Sequence, residues 1–189
     1  MSRAAAPYLR ASAAAAAAAA VQDSPKAVTA LVNFGSMYSW ISTAAIAHYC
    51  STKWAVTGLN EGLADELGPF GVSVLSVEPG YTRTAILKTG GDSGSARRVV
   101  AKQRLPVYDV NPMRDVMGAA DGKQLGDVVK SAQVIVDVLT RSGSAAGREV
   151  PRRLMLGSDA VQAVRQKCKD TLELLQDWEA ISSLTDIIE

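Results

Sequence analysis

Tyr49 and Lys53 stand four residues apart within residues 47 to 67, where the apolar positions Ala55, Val56, Leu59, Leu63 and Leu67 recur at spacings of three and four. That period is helical, so the phenol and the ammonium share one helix face, one turn apart. A free tyrosine, with a pKa near ~10, is a poor acid–base group at neutral pH. A neighbouring ammonium favours the phenolate and lowers that value, which suits the pair to proton exchange in an alcohol/carbonyl reaction. On spacing alone, an interfacial tyrosine beside a solvated lysine is the simpler reading, since the chain holds five tyrosines. Context reverses this. Ser36 stands thirteen residues before Tyr49, just after an apolar run. A hydroxyl at the carboxyl end of a parallel strand lies on the rim where open α/β sheets bind ligands, and there it can hydrogen-bond a substrate oxygen. A second apolar run ends in Pro79-Gly80, followed by Thr82 and Thr84. This is another strand end on the same rim, with a glycine that lets backbone approach a ligand.

These residues need elements to hold them. Ala27 to Phe34 (AVTALVNF) is a short apolar, β-branched run that predicts a buried strand. The helix over 47 to 67 is ended by Gly68-Pro69. Val72 to Val77 predicts a second strand, stopped by Glu78-Pro79-Gly80. Residues 81 to 125 are polar, rich in Gly, Pro and Arg and weakly periodic, which predicts a long functional loop. Asp127 to Leu139 reads as an amphipathic helix and Ser142 to Gly147 as a turn. Arg152 to Leu156 reads as a short strand, and Ser158 to Trp178 as a closing helix with Ser158 as its N-cap. The eight alanines from 13 to 20 predict a helix or a frayed linker. The alternation of strand and helix predicts an α/β fold with parallel pairing and right-handed crossovers.

Composition narrows the function. Lys plus Arg number 20 against 19 Asp plus Glu, so a net charge of +1 gives no electrostatic case for nucleic acid or an acidic membrane. Cys50 and Cys168 lack metal-ligand or CxxC spacing, His48 is the sole histidine, and no metal site is expected. No apolar run approaches the ~20 residues of a membrane span. Two reduced thiols and a balanced composition suggest a cytoplasmic protein. The arginines and alanines of the first 22 residues, with no acid among them, also fit a transit peptide. A helix end followed by low-complexity alanine accounts for them as well.

Val32-Asn33-Phe34-Gly35-Ser36, then Tyr49-Cys50-Ser51-Thr52-Lys53, then Leu67 to Val72, then Glu78-Pro79-Gly80-Tyr81-Thr82-Arg83-Thr84 together resemble the short-chain dehydrogenase/reductase family. The family pattern is N-x-S-S, Y-x-x-x-K and P-G-x-x-x-T, in that order. The resemblance runs from about Val28 to the C-terminus. It implies the second half of a Rossmann-like, doubly wound parallel sheet and an NAD(P)-dependent oxidoreductase, with NADP or NAD as cofactor and a small carbonyl or alcohol as substrate. Tyr49 becomes the catalytic acid/base. Lys53 assists it and holds the nicotinamide ribose, and Ser36 orients the substrate carbonyl. Pro79, Gly80, Thr82 and Thr84 meet the carboxamide and a neighbouring phosphate, and residues 81 to 125 form a substrate lid. A homo-oligomer is implied too, through the helix that bears Tyr49, where Gly58 and Gly62 allow close approach.

The chain departs from the pattern in places. Gly35 replaces the first serine of N-x-S-S. The first glycine is Gly35 and the first asparagine Asn33, so the family's Gly-rich pyrophosphate turn and its catalytic asparagine lie outside the chain as given. Residues 1 to 26 then read as an Ala-rich segment with the remnant of a preceding helix, and residues 27 to 189 as the C-terminal part of one domain. A truncated, non-catalytic remnant that dimerises or binds a partner is the rival expectation. An acyl hydrolase using Ser36 is a weaker one, because no base is suitably placed and there is no G-x-S-x-G elbow.

Overall fold

The computed structural model describes residues 2–19, 28–88 and 113–187. Its frame is a three-stranded parallel sheet in which β2 (Val72–Pro79) lies between β1 (Thr29–Phe34) and β3 (Arg153–Leu156). The strands are aliphatic and β-branched, the composition that packs on a pleated surface. Side chains alternate across β2. Val72 and Val74 point to one face, against α1 (Ser2–Ala18) and α2 (Ala47–Leu67), whereas Leu75 and Val77 point to the other, against α4 (Val128–Thr140). With helices on both faces the fold is α/β and doubly wound.

Several elements differ from their sequence reading. β1 is half-buried rather than buried, because it is the edge of the described sheet. β2 runs through Glu78 to Pro79 instead of stopping before them. The closing helix α5 (Ser158–Ser182) takes Gly157 as its N-cap, which puts Ser158 inside the first turn. The alanine run does not stand alone. It continues a helix from Ser2, and Ala13 packs with Leu9 against Ala64, Leu67, Val72 and Val74. The stripe read on α2 meets its buried face only at its end, where Leu67 is buried and Leu63 packs against the core. Cys50, Thr57, Asn60, Ala64 and Leu67 turn inward, while Ala55 and Leu59 are exposed. The polar residues on that face each make at least one hydrogen bond: Asn33 donates to Asn60 Oδ1 (2.7 Å), whose own Nδ2 has no partner among the described residues, and Thr57 donates to Glu78 (3.1 Å).

The two crossovers have opposite hands. The strands advance in one direction, β1 to β2 to β3, yet α2 covers one face and α4 the other. Uniformly right-handed crossovers therefore fail at one of the two. The rule rests on a twisted strand feeding directly into a helix, and the long run between Pro79 and Arg153 removes that coupling. Within that run residues 89 to 112, part of the expected lid, lie outside the described residues. The rest of it is not all loop: it holds a 3-10 turn, Ala85–Leu87, and a short helix, α3 (Met113–Ala119). The run is closed at its base. Thr82 and Gly126 form a parallel bridge, Arg83 N–H donates to Gly126 O (2.8 Å), and Gly126 N–H donates to Tyr81 O (2.9 Å).

Candidate active site

β1 ends at Phe34, and the chain enters a 3-10 turn, Met37–Ser39, that packs against the first turns of α2. Gly35 is confined there: a Cβ would meet Ser39 Oγ at 2.8 Å and Glu78 Cγ at 3.0 Å. This explains why glycine stands where the family pattern has a serine. Ser36, buried and extended, donates its N–H to Ser39 Oγ (3.2 Å), and Ser39 Oγ donates to the Lys53 carbonyl (3.0 Å). Ser39 thus ties the loop that carries Ser36 to the helix that carries Tyr49 and Lys53. Its only sequence signal is a hydroxyl three residues after Ser36.

A cavity of about 420 Å³ opens at this rim. Ser36, Tyr49, Gly80 and Thr82 line it together. Its walls are mostly apolar, from Met37, Ile46, Ile86, Leu87 and Met117, with Tyr38 and Tyr81 between. The Tyr38 and Tyr49 rings meet edge-to-face at 6.1 Å, and so do those of Tyr38 and Tyr81 at 6.3 Å. The Tyr38 and Tyr81 hydroxyls are hydrogen-bonded to each other. Burial, and then that bond, push the Tyr38 phenol well above its ordinary range and keep it neutral. Tyr49 stays 40% exposed on the cavity wall.

Lys53, Pro79 and Thr84 are not on the cavity wall. Lys53 lies behind Tyr49, its Nζ 5.7 Å from the Tyr49 ring centroid and donating to the Phe34 carbonyl (2.9 Å). Desolvation lowers the pKa of Lys53, since partial burial penalises the ammonium. Thr84 is exposed, and its hydroxyl accepts from Ile86 N–H (3.3 Å). Pro79 closes β2. Gly80 is required for a reason other than ligand approach. The Asp159 carboxylate fills the space where a Cβ would be, and it accepts from Tyr81 N–H (2.7 Å). The N-terminus of α5 thereby holds the strand end in place.

Two features of the site were invisible in the sequence. Gln124 is buried on the cavity wall, and among the described residues neither its amide nitrogen nor its amide oxygen has a partner. Its backbone carbonyl is gripped by Arg83 through Nε (3.1 Å) and Nη2 (2.9 Å), so the residue is fixed although its side chain is unsatisfied. Glu78, fully buried, accepts from Trp40 Nε1 (2.7 Å), Ser76 Oγ (2.9 Å), Thr57 Oγ1 and Arg153 Nε (3.0 Å). The Arg153 guanidinium also stacks on the Trp40 ring at 3.7 Å. This network clamps the loop after β1 onto β2, α2 and β3. Gly58 and Gly62 face open space. Among the described residues no His, Cys, Asp or Glu cluster can hold a metal, and no helix is long and apolar enough to cross a membrane.

Known proteins resemble this chain in sequence and fold. Residues 9–93 match the short chain dehydrogenase family. The oxidoreductase BOA17 of Botryotinia fuckeliana is 26% identical over 142 residues, which is 75% of this chain and 47% of that protein. Carbonyl reductase [NADPH] 2 of Sus scrofa is 36% identical over 90 residues, 47% of this chain and 36% of that protein. A crystal structure of a short-chain dehydrogenase from Streptomyces avermitilis superposes with a TM-score of 0.72 at 31% identity, covering 98% of this chain and 58% of that one. The chain spans about half or less of the length of these curated relatives.

Proposed function

We propose that this chain, which matches the short chain dehydrogenase family over residues 9–93, carries the acid–base part of an NAD(P)-dependent oxidoreductase interconverting a carbonyl compound and its alcohol. The observation behind this reading is that Ser36 and Tyr49 line one cavity while Lys53 Nζ lies 5.7 Å from the Tyr49 ring centroid. In the reducing direction the Tyr49 hydroxyl gives its proton to the substrate oxygen, and the Ser36 hydroxyl donates to the same oxygen and orients it. In the oxidising direction Tyr49 takes the proton back. Lys53, its Nζ 5.7 Å from the Tyr49 ring centroid, would assist the phenol, and Ser39 holds the serine and lysine segments in register.

A nicotinamide cofactor, when bound, supplies or accepts the hydride. The chain's residues fit its reacting end. Lys53 has three N–H donors, of which the described residues take one, and the exposed Tyr49 stands next to it. Lys53, Tyr49, Thr82 and the backbone of Pro79 and Gly80 would hold the nicotinamide end, with Thr84 near a phosphate. NADP and NAD both remain candidates; the name of the Sus scrofa relative mentions NADPH.

The substrate class follows from the wall. An apolar, aromatic-lined cavity suits a carbonyl compound with a hydrophobic body. The Gln124 amide, without a partner among the described residues, suits a second polar group on it, because a buried amide left unsatisfied is costly and a matching group removes that cost. The test is steady-state reduction of a ketone panel with NADPH and NADH by a protein containing this chain. Tyr49→Phe should lower kcat by roughly 10²–10⁴. Gln124→Leu should raise KM for ketones bearing a second polar group and leave plain ketones nearly unchanged. Undiminished turnover in Tyr49→Phe would overturn the assignment.

A further inference from the structure

Tyr81 is held from three sides. Its N–H donates to Asp159 Oδ2 (2.7 Å), its carbonyl accepts from Gly126 N–H (2.9 Å), and its hydroxyl is hydrogen-bonded to that of Tyr38. The first two bonds fix the backbone just past the carboxyl end of β2, and the third fixes the ring. Both phenols line the cavity that holds Ser36 and Tyr49. The Tyr38 ring meets those of Tyr49 and Tyr81 edge-to-face. Proton exchange at Tyr49 uses neither the Tyr38 nor the Tyr81 hydroxyl.

A proton count shows what the pair can do. Two phenols carry two protons, and the bond between them uses one in either direction. Tyr38 is 7% exposed, and among the described residues its hydroxyl has no partner but Tyr81. Burial and that bond keep Tyr38 protonated, so its proton points to the Tyr81 oxygen. The Tyr81 proton is then left without an acceptor among the described residues, on a half-buried ring at the cavity wall. A hydroxyl that accepts one hydrogen bond is polarised to donate a stronger one. Such a donor matches an acceptor oxygen on a bound molecule. None of the described residues that line the cavity is charged. An anionic acceptor would lose its hydration there without a counter-ion, so the matching acceptor is neutral.

We propose that the Tyr81 hydroxyl is a specificity-determining donor for a neutral acceptor oxygen on the substrate (a ketone, ester or ether), apart from the oxygen that reacts at Tyr49. Tyr38 polarises Tyr81 and is the ring that touches both it and Tyr49, so the two substrate oxygens lie about a ring's width apart. This role differs from that of Gln124, whose amide both donates and accepts. It rests on the cavity being the carbonyl site proposed above. The test uses binding without turnover, whereas the effect of Tyr49→Phe on turnover bears only on the acid–base reading, so the two can fail separately.

The probes are acetophenones with a second group in the ortho, meta or para position: a methyl ester, its free carboxylate, or a sec-butyl group of the ester's shape. Their Kd for the 189-residue chain is measured by ligand-observed NMR titration without cofactor. All share the ketone, so contacts at Ser36 and Tyr49 cancel in the comparison. In the parent chain the ester should bind more tightly than its carboxylate. Tyr38→Phe with Tyr81→Phe leaves no spare phenol proton. At one ring position or more it should weaken the ester about fivefold to tenfold relative to the sec-butyl compound, the size of one net hydrogen bond. Tyr81→Phe alone should shift the ratio in the same direction. The shift should persist in a Gln124→Leu background, where the amide is absent. A loss of folded protein affects all probes alike and leaves the ratio unchanged. A ratio that no tyrosine variant moves at any ring position, a shift that vanishes with Gln124→Leu, or a carboxylate that binds as tightly as its ester would each overturn the proposal.

Discussion

The two faces of β2 are built by different chemistry. On the α4 side, Leu75 and Val77 meet Val138, Ala145 and Leu156, and the contact is apolar throughout. On the α2 side the strand begins in the same way with Val72 and Val74, but toward its carboxyl end it turns polar with Ser76 and Glu78, both fully buried. The difference follows the site. The α4 face only has to exclude water, and many apolar arrangements of the right volume do that. The other face has to hold Ser36, Tyr49 and Lys53 in one arrangement. Directional bonds from one carboxylate to Trp40, Ser76, Thr57 and Arg153 specify geometry in a way that apolar contact does not.

The comparison breaks first at Arg153. Its guanidinium is the only charged partner of buried Glu78 among the described residues. Arg153→Ala leaves a carboxylate in the core with neutral donors only. Removing one member of a buried pair costs about 3–5 kcal/mol, so denaturant unfolding should show a loss of that size. Loosening of the Trp40 loop should accompany it, visible as a red shift of tryptophan fluorescence under native conditions. A loss below about 1 kcal/mol, in the range of a surface ion pair, would show that the polar face is no more specified than the apolar one.

Leu75→Ala sharpens the contrast from the other side. Leu75 is fully buried on the α4 face, and its truncation costs about 2–4 kcal/mol, a transfer term plus a cavity term. The loss should be purely one of stability. In an active protein, turnover at a temperature where the variant is folded should stay within about twofold of the parent, a difference of roughly 0.4 kcal/mol in the barrier. A large fall in kcat with the fold intact would mean that the apolar face also positions the site.

The same contrast governs what could be read from the sequence. The long helix, the central strand and the Tyr49–Lys53 spacing were legible because they are local: a period, a Gly68-Pro69 stop, a one-turn offset. Apolar burial leaves a pattern along the chain, and hence the α4 helix was legible to within a residue or so. The polar face leaves none. Glu78 reads as a strand stop because an acid before Pro79-Gly80 looks like a turn, and its partner Arg153 is 75 residues away. Gln124 sits in a stretch without periodicity, and Asp159 looks like an ordinary first-turn acid until it is seen filling the space at Gly80. The face of α2 was misjudged for the same reason: Thr57 and Asn60 are buried through hydrogen bonds to distant residues, which no hydrophobic period records. The hand of the second crossover depends on which side of the sheet α4 covers, and that is set by packing rather than by any local signal.

The smallest expected effect lies at a polar cap on the otherwise apolar side. Asp137, near the end of α4, accepts from Ser144 N–H (2.9 Å), Ser144 Oγ (2.8 Å) and Gln133 Nε2 (2.8 Å), and so anchors the turn that leads toward β3. The backbone bond from Ser144 is the largest of several hydrogen bonds that hold its carboxyl below the usual aspartate range. A carboxylate whose pKa is depressed in the folded state binds fewer protons there than in the unfolded chain. Its stabilising contribution is therefore complete above the ordinary aspartate value near ~4 and is lost as pH falls through the lower, folded value. Asp137→Asn keeps the shape and removes the charge. Urea midpoints measured from pH 7 down to pH 2.5 should show the parent losing stability more steeply than the variant below about pH 4, with the two curves converging at the acid end. Parallel curves across the whole range would mean that the Ser144 turn is held by packing alone, and that the α4 side is apolar in its energetics as well as in its composition.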